Sequence, residues 1–168
     1  MLGSHRLQDK GAFMYDEVMR VPFLVSWPGE TRPAVYETSV SQVSLLPTLL
    51  EIAGIPPRSD FDMPSLAESF QGQQSPVEQP VYGEYNRFFG QNYPVRMVVD
   101  GHWKYVHYFG PEPELFDLAV DPGETVNLVQ SATHQEELLR MQGLLETWMA
   151  ASGDVYHIDQ ELVADFAS

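Results

Sequence analysis

The chain has no cysteine. That excludes disulfides, thiolate metal sites and a cysteine nucleophile in one step. Cationic residues are scarce: 9 Lys and Arg stand against 24 Asp and Glu, a net charge of -15. Nucleic-acid binding needs cations to neutralise phosphates, so this balance argues against it and reads as solubility. Long apolar runs are missing too. None approaches the ~20 residues that span a bilayer, so no membrane partner is expected. No basic region precedes an apolar one at Met1-Leu2-Gly3-Ser4-His5, and no signal peptide is visible. Histidines 5, 102, 107, 134 and 157 form no His-x-x-x-His pattern, which argues against zinc. A Gly-rich phosphate loop is absent, and Asp60 and Asp62 lack the Gly and distant Glu of a calcium loop.

What is present is 168 residues, 43% hydrophobic and 20% charged, enough for a real core. Residues 1–12 read as a loop. Phe13, Met14 and Val18 can face inward on a short turn, with Asp16 and Glu17 toward water, and Pro22 ends it. The apolar run Phe23 to Trp27, closed by Pro28-Gly29, predicts a buried strand. Ser44 looks like an N-cap for a helix over 45–53 with an apolar face of Leu45, Leu49 and Ile52, stopped at Gly54. Residues 55–79, with four prolines and four glutamines, have linker composition, with room for a short helix at 65–70.

The character then changes. Segments 81–85, 95–99, 103–108 and 114–118 are rich in β-branched and aromatic residues and are divided by turn residues, among them Asp100-Gly101. They predict a small antiparallel sheet. Alternation sets Trp103, Tyr105 and His107 on one face and Lys104, Val106 and Tyr108 on the other. Over 132–151, Leu138, Met141, Leu145 and Trp148 keep helical spacing, widened by Leu144 and Met149, which predicts a helix covering that sheet.

Several stretches resemble the sulfatase family of the alkaline-phosphatase superfamily. The run from Lys10 to Pro22 reads Lys-Gly-Ala-Phe-Met-Tyr-Asp-Glu-Val-Met-Arg-Val-Pro, similar to the family's lysine segment, with Asp16 where many members have Glu. Gly3-Ser4-His5 is similar to a Gly-Asp-His a few residues before that lysine. Pro47-Thr48-Leu49-Leu50, Asp100-Gly101-His102-Trp103-Lys104-Tyr105, Glu114-Leu115-Phe116-Asp117-Leu118 and Asp121-Pro122-Gly123-Glu124-Thr125-Val126-Asn127-Leu128 follow in the family's order.

The resemblance implies an α/β fold, the C-terminal part of a sulfatase-like architecture. Residues 1–75 would end the large catalytic domain, with lysine loop, buried strand and helix. Residues 76–168 would form a C-terminal subdomain of four short strands plus helix 132–151. It implies a sulfuric ester hydrolase in which Lys10 binds the sulfate, a compact cation suited to an anion. A solvated surface lysine is the alternative. His5 is either a pocket residue near the ester or a surface loop histidine.

The family nucleophile, a Cys or Ser in Cys/Ser-x-Pro-x-Arg matured to formylglycine, has no counterpart, since Ser26-Trp27-Pro28 lacks the Arg. Calcium, expected for the complete enzyme, would be held by oxygen ligands upstream of Met1, with none bound by this chain alone. The chain is therefore expected to be inactive by itself. Its unpaired strand predicts oligomers or a companion N-terminal chain. Two other readings stay open. One is a phosphate or phosphonate ester hydrolase of the same superfamily. The other is a non-catalytic binding domain using Tyr82, Tyr85, Phe88, Phe89 and Tyr93.

Overall fold

A computed structural model describes residues 3–8, 11–56, 60–88, 91–156 and 158, the side chains of 87, 88 and 91–93 excepted. The chain forms two compact units. One joins residues 1–21 to 82–168, and the other is residues 22–81.

The first unit is built on the expected sheet. Strands β1 (Val81–Phe88), β2 (Gln91–Asp100), β3 (Trp103–Tyr108) and β4 (Glu114–Asp117) lie in that order. The ladders β2–β3 and β3–β4 are antiparallel. Asp100 pairs with Trp103, so the β2–β3 connection is two residues long. Gly101, at φ +58°, takes the left-handed conformation that such a hairpin demands.

Register then fixes two faces, because residues opposite each other across a ladder point the same way. Val98, Tyr105 and Leu115 make one column, and Val99, Lys104 and Phe116 the next. The first column meets helix α4 (Gln135–Ser152), which buries Leu138, Met141, Leu145 and Met149. Burying each such side chain stabilises by about 1.5–3 kcal/mol. Leu144 and Trp148 are partly buried at the margin of that stripe, where Trp148 stacks on Tyr82 at 4.9 Å. Gly153, at φ +70°, ends the helix, and Asp154 N–H donates to Met149 O at 2.9 Å.

The outer edge of β4 is sealed by the segment after it. Asp121 accepts from the N–H groups of Thr125 and Val126 and from the Thr125 hydroxyl, winding a tight turn. Asn127 then accepts from Leu115 N–H through Oδ1 and donates to Pro113 O through Nδ2, and Leu128 N–H reaches Leu115 O. The Asp-Pro-x-Glu-x-x-Asn-Leu motif thus has a physical account as an edge cover.

The second face carries residues 11–21. Met14 is buried, as its spacing suggests, and helix α1 (Asp16–Met19) follows it. A Cβ at Gly83 would lie 2.9 Å from Met19 Cε, so a glycine in β1 makes room for that methionine. Asp16 departs from expectation. Rather than simply facing water it takes an ion pair from Lys104, whose buried ammonium needs an anion.

The second unit holds α2 (Leu45–Ile52) and α3 (Ala67–Phe70). Thr48 fastens them. Its hydroxyl donates to Ser44 O and accepts from Leu66 N–H at 2.9 Å. Three expectations are corrected here. Ser44 does not cap α2; Ser41 accepts from Val43 N–H and opens a 3-10 turn over Gln42–Ser44, so the chain turns three residues earlier. The face of Leu45 and Leu49 is exposed, and Pro47 and Thr48 are buried instead. Residues 22–27 form no strand, and Phe23, Leu24 and Val25 are exposed. A strand is defined by its ladder, and no segment of the described residues pairs with this one.

Candidate functional site

The residues singled out from the sequence belong to the first unit. Lys10 lies outside the described residues, between Gln8 and Gly11. His5 sits in a 3-10 turn, Ser4–Arg6, entered through Gly3 at φ +106°. Both His5 (φ +53°) and Arg6 (φ +60°) take left-handed backbone conformations, uncommon for residues with a Cβ. The turn is closed by Gly3 N–H to Leu7 O at 2.9 Å and Leu7 N–H to Ser4 O at 2.9 Å.

The His5 ring lies flat on Tyr15, 3.7 Å between centroids and 4° from parallel. Its Nε2 is 3.7 Å from Glu17 Oε2. Glu17 is held below the usual carboxylate range by its backbone and Ser4 hydrogen bonds, with His5 adding to them. His5 is thus a fixed, half-buried group and not a free loop side chain.

Beneath His5 the segment is tied to the sheet at two successive residues. Tyr15 donates its hydroxyl to Glu114 Oε1 at 2.8 Å, and Tyr108 donates to the other oxygen at 2.8 Å. Burial and the Glu114 carboxylate push both phenols far above the ordinary tyrosine range, so both remain donors. At the next residue, Asp16 Oδ1 takes Lys104 Nζ at 2.8 Å. Lys104 Nζ also lies 2.7 Å from Glu124 Oε1. The second Glu124 oxygen accepts Asp16 N–H at 2.7 Å. Burial pushes the Glu124 carboxyl up, and Lys104 opposes that shift. Glu124 is itself at φ +51°, a strained setting for a non-glycine residue.

Sequence reasoning missed this cluster. Asp16 and Lys104 are 88 residues apart, and no local pattern links them. One signal was available. Lys104 stands among aromatic and β-branched residues in a strand expected to be covered, and a buried lysine requires counter-charges.

Among the described residues, His5, Glu17 and Glu124 bring potential metal-ligating atoms within 4.8 Å of one another. Their donors do not suit a hard divalent ion. Both Glu124 oxygens are already engaged, one by an ammonium and one by an amide, and such an ion wants several free anionic oxygens.

A groove of about 500 Å³ opens beside the C-terminal end of α4, lined by Glu84, Arg96, Trp148, Asp154 and Tyr156. Arg96 is only 2% exposed and fully occupied. It meets Asp154 through two nitrogens at 2.5 and 3.0 Å, donates to Tyr85 O and Val95 O, and stacks over Tyr156. Its charge ties the chain beyond α4 to the sheet. Of the aromatic set considered for a binding surface, Tyr82 is engaged with Trp148. Phe89 and the side chains of Phe88 and Tyr93 lie outside the described residues.

With this geometry in view, known proteins give a consistent picture. A family model described as N-sulphoglucosamine sulphohydrolase, C-terminal, matches residues 3–150. A Delta 4,5-hexuronate-2-O-sulfatase of Bacteroides thetaiotaomicron is 32% identical over 161 residues, covering 92% of this chain and 34% of that protein. An uncharacterized sulfatase, YidJ of Escherichia coli, is 32% identical over 157 residues, covering 89% and 30%. The crystal structure of a candidate sulfatase from B. thetaiotaomicron superposes with a TM-score of 0.82 at 31% identity, over 91% of this chain and 34% of that one. The chain spans about a third of the length of the curated relatives it matches.

Proposed function

The chain belongs to the sulfatase family and corresponds to its C-terminal portion, and on that premise we propose that it serves a sulfuric ester hydrolase by supplying the sulfate-binding Lys10 and the pocket histidine His5. The observation that carries this is a family match that runs from the Lys10 loop through the whole sheet and most of α4. In this reading a fixed ammonium balances the negative charge of the ester oxygens as the sulfur is attacked. His5, held against Tyr15 and Glu17, lines the same pocket.

The nucleophile and a calcium ion belong to the part of the enzyme N-terminal to these residues. Calcium would add positive charge at the ester oxygens, held by carboxylates outside this chain. Residues 1–75 would complete the catalytic domain, and 76–168 would form its C-terminal subdomain. Because the B. thetaiotaomicron relative is named for a 2-O-sulfated hexuronate, we take a sulfated saccharide as the substrate class.

Exposed Phe23, Leu24 and Val25 support a further part of the reading, in which the apolar run meets an N-terminal companion or a second copy of the chain. Light scattering of the purified chain checks this through its mass.

The test of function is hydrolysis of a chromogenic aryl sulfate with calcium, by the chain alone and by the complete enzyme. The chain alone should give no turnover. The complete enzyme should be active, should lose most of that rate in Lys10→Ala, and should prefer sulfate over phosphate esters. Turnover by the chain alone that disappears in Lys10→Ala would overturn the proposal. A preference for phosphate esters would point to the other hydrolase class.

A further inference from the structure

We propose that the groove beside the C-terminal end of α4 is a binding site for a saccharide unit that carries no sulfate. This deepens the reading of a sulfated saccharide as the substrate class, and rests on it for the kind of ligand.

The first observation is what the groove offers. Its volume of about 500 Å³ falls within the usual range of small-ligand sites, about 300–1,000 Å³. Trp148 and Tyr156 supply aromatic surface, and Glu84, Asn86 and Ser152 supply polar atoms along the same walls. A sugar ring has the matching character, with C–H groups on its faces and hydroxyls around its edge. Aromatic side chains with an apolar body suit the faces. A wholly apolar ligand would instead desolvate Glu84 and Asn86 and give them no partner.

The second is that the polar groups have capacity left. The Glu84 side chain is 56% exposed and lies 3.9 Å from Arg96 Nε, beyond hydrogen-bond range. Its carboxylate can accept from sugar hydroxyls, in charge-assisted bonds stronger than neutral ones. The Ser152 hydroxyl gives its proton to Met149 O at 3.1 Å, which leaves its oxygen as an acceptor.

The third is charge. Arg96 stands in the lining against two carboxylates, Glu84 and Asp154. The guanidinium is 2% exposed and meets Asp154 through two nitrogens, so Glu84 carries the charge that a ligand would meet. A sulfate ester placed there would face an anion with no available cation. Like charges brought together reject the wrong partner, so the site selects an unsulfated unit.

The fourth is that the walls are already braced. Asp154 N–H donates to Met149 O at 2.9 Å, and Tyr156 N–H donates to Asp154 Oδ1 at 3.2 Å. The Tyr156 ring lies 5.1 Å from Arg96 Cζ and 5.1 Å from the Phe109 ring, and Trp148 is backed by Tyr82. A preformed site binds with little ordering cost.

The experiment titrates the 168-residue chain with two uncharged disaccharides, cellobiose and N-acetyllactosamine, and with a sulfated N-acetyllactosamine. NMR follows the Trp148 indole and the Gly153 and Val155 amides. At least one uncharged disaccharide should shift these signals with a Kd on the order of 1 mM. The sulfated sugar should bind at least ~10-fold more weakly than its uncharged parent. Glu84→Ala, at an exposed side chain, should weaken uncharged-sugar binding about 10-fold. Glu84→Gln keeps an acceptor without the charge. It should hold that affinity within about threefold and narrow the gap to the sulfated sugar. Trp148→Ala should abolish binding. Should it fail to fold, the two Glu84 variants carry the test.

No shift with either uncharged disaccharide at about 50 mM would overturn the proposal. So would tighter binding of the sulfated sugar, or wild-type affinity in Glu84→Ala. The outcome is separable from the reading of the substrate. If the complete enzyme cleaves aryl sulfates and no sulfated saccharide, that reading fails while the titration still decides the groove. If it cleaves sulfated saccharides and the titration is blank, the groove alone is given up.

Discussion

The two faces of one sheet are held by different physics. Against α4, the centre of the contact is apolar: Val98, Tyr105 and Leu115 meet Leu138, Met141 and Leu145, with the polar contacts of Tyr105, His107 and Arg96 beside it. Against residues 13–19, the same strands offer Lys104, Tyr108 and Glu114, and the contact is a set of charge-assisted bonds. Apolar packing tolerates small shifts, because its energy follows area. Ionic and phenolic contacts at 2.7–2.8 Å do not, because their energy depends on distance and direction. The centre of the α4 contact relies on the first, and the contact with residues 13–19 relies on the second.

Substitutions can break this comparison from either side. The largest effect should come from Lys104→Met, which leaves Asp16 and Glu124 without their cation. Loss of one partner of a buried pair costs about 3–5 kcal/mol, read here by urea unfolding. The neutral triple variant K104M/D16N/E124Q, which strands no charge, should recover most of that loss. If Lys104→Met cost no more than an exposed substitution, the ionic face would be decoration.

Leu145→Ala on the other face should cost about 3 kcal/mol through lost burial and a residual cavity, without loosening residues 16–20. Equal loosening of both faces would erase the distinction drawn here.

A pH titration sharpens the comparison further. Burial pushes His107, on the α4 face, from 6.5 down to about 4. The folded state then binds fewer protons than the unfolded one between those values. Stability should therefore fall as pH drops below 6.5, by up to about 3 kcal/mol, and level off near 4. Glu124 acts in the opposite sense. Its raised carboxyl makes the folded state gain protons, and so stability, as the pH falls through its folded pKa. The difference between wild type and His107→Gln cancels that contribution. A wild-type curve parallel to His107→Gln would rule out the burial effect.

The smallest change belongs to the second unit. Leu46→Gln lies on a side chain 56% exposed and should alter stability by less than about 0.5 kcal/mol. A large loss would mean that the apolar surface of α2 is covered in solution, and light scattering on the same sample would show by what mass.

The sheet and α4 were legible because their rules are local. Period two marked the strands, Asp100-Gly101 marked the hairpin, and the Leu138-Met141-Leu145 spacing marked the helix. The second unit was less legible. Ser41 and Ser44 are equally good caps by residue type, and only the path of the chain decides between them. The run 22–27 has the composition of a strand, but composition supplies no ladder partner. Lys10 and His5 stood out only through their surrounding motifs. The contacts beneath His5 stayed hidden, because Tyr15 finds Glu114 across 99 residues and no window of sequence contains both.

That separation has a consequence in time. A ribosome releases the chain from its amino end, at roughly 5–20 residues each second. Tyr15 and Asp16 therefore emerge about 5–20 s before Glu114, Lys104 and Glu124 exist to receive them. Throughout that interval residues 15 and 16 lack the strand and loop partners that hold them. The α4 face cannot help, since α4 is made later still. The segment is thus made well before the strands that hold it, and it can be put in place on the sheet only after them.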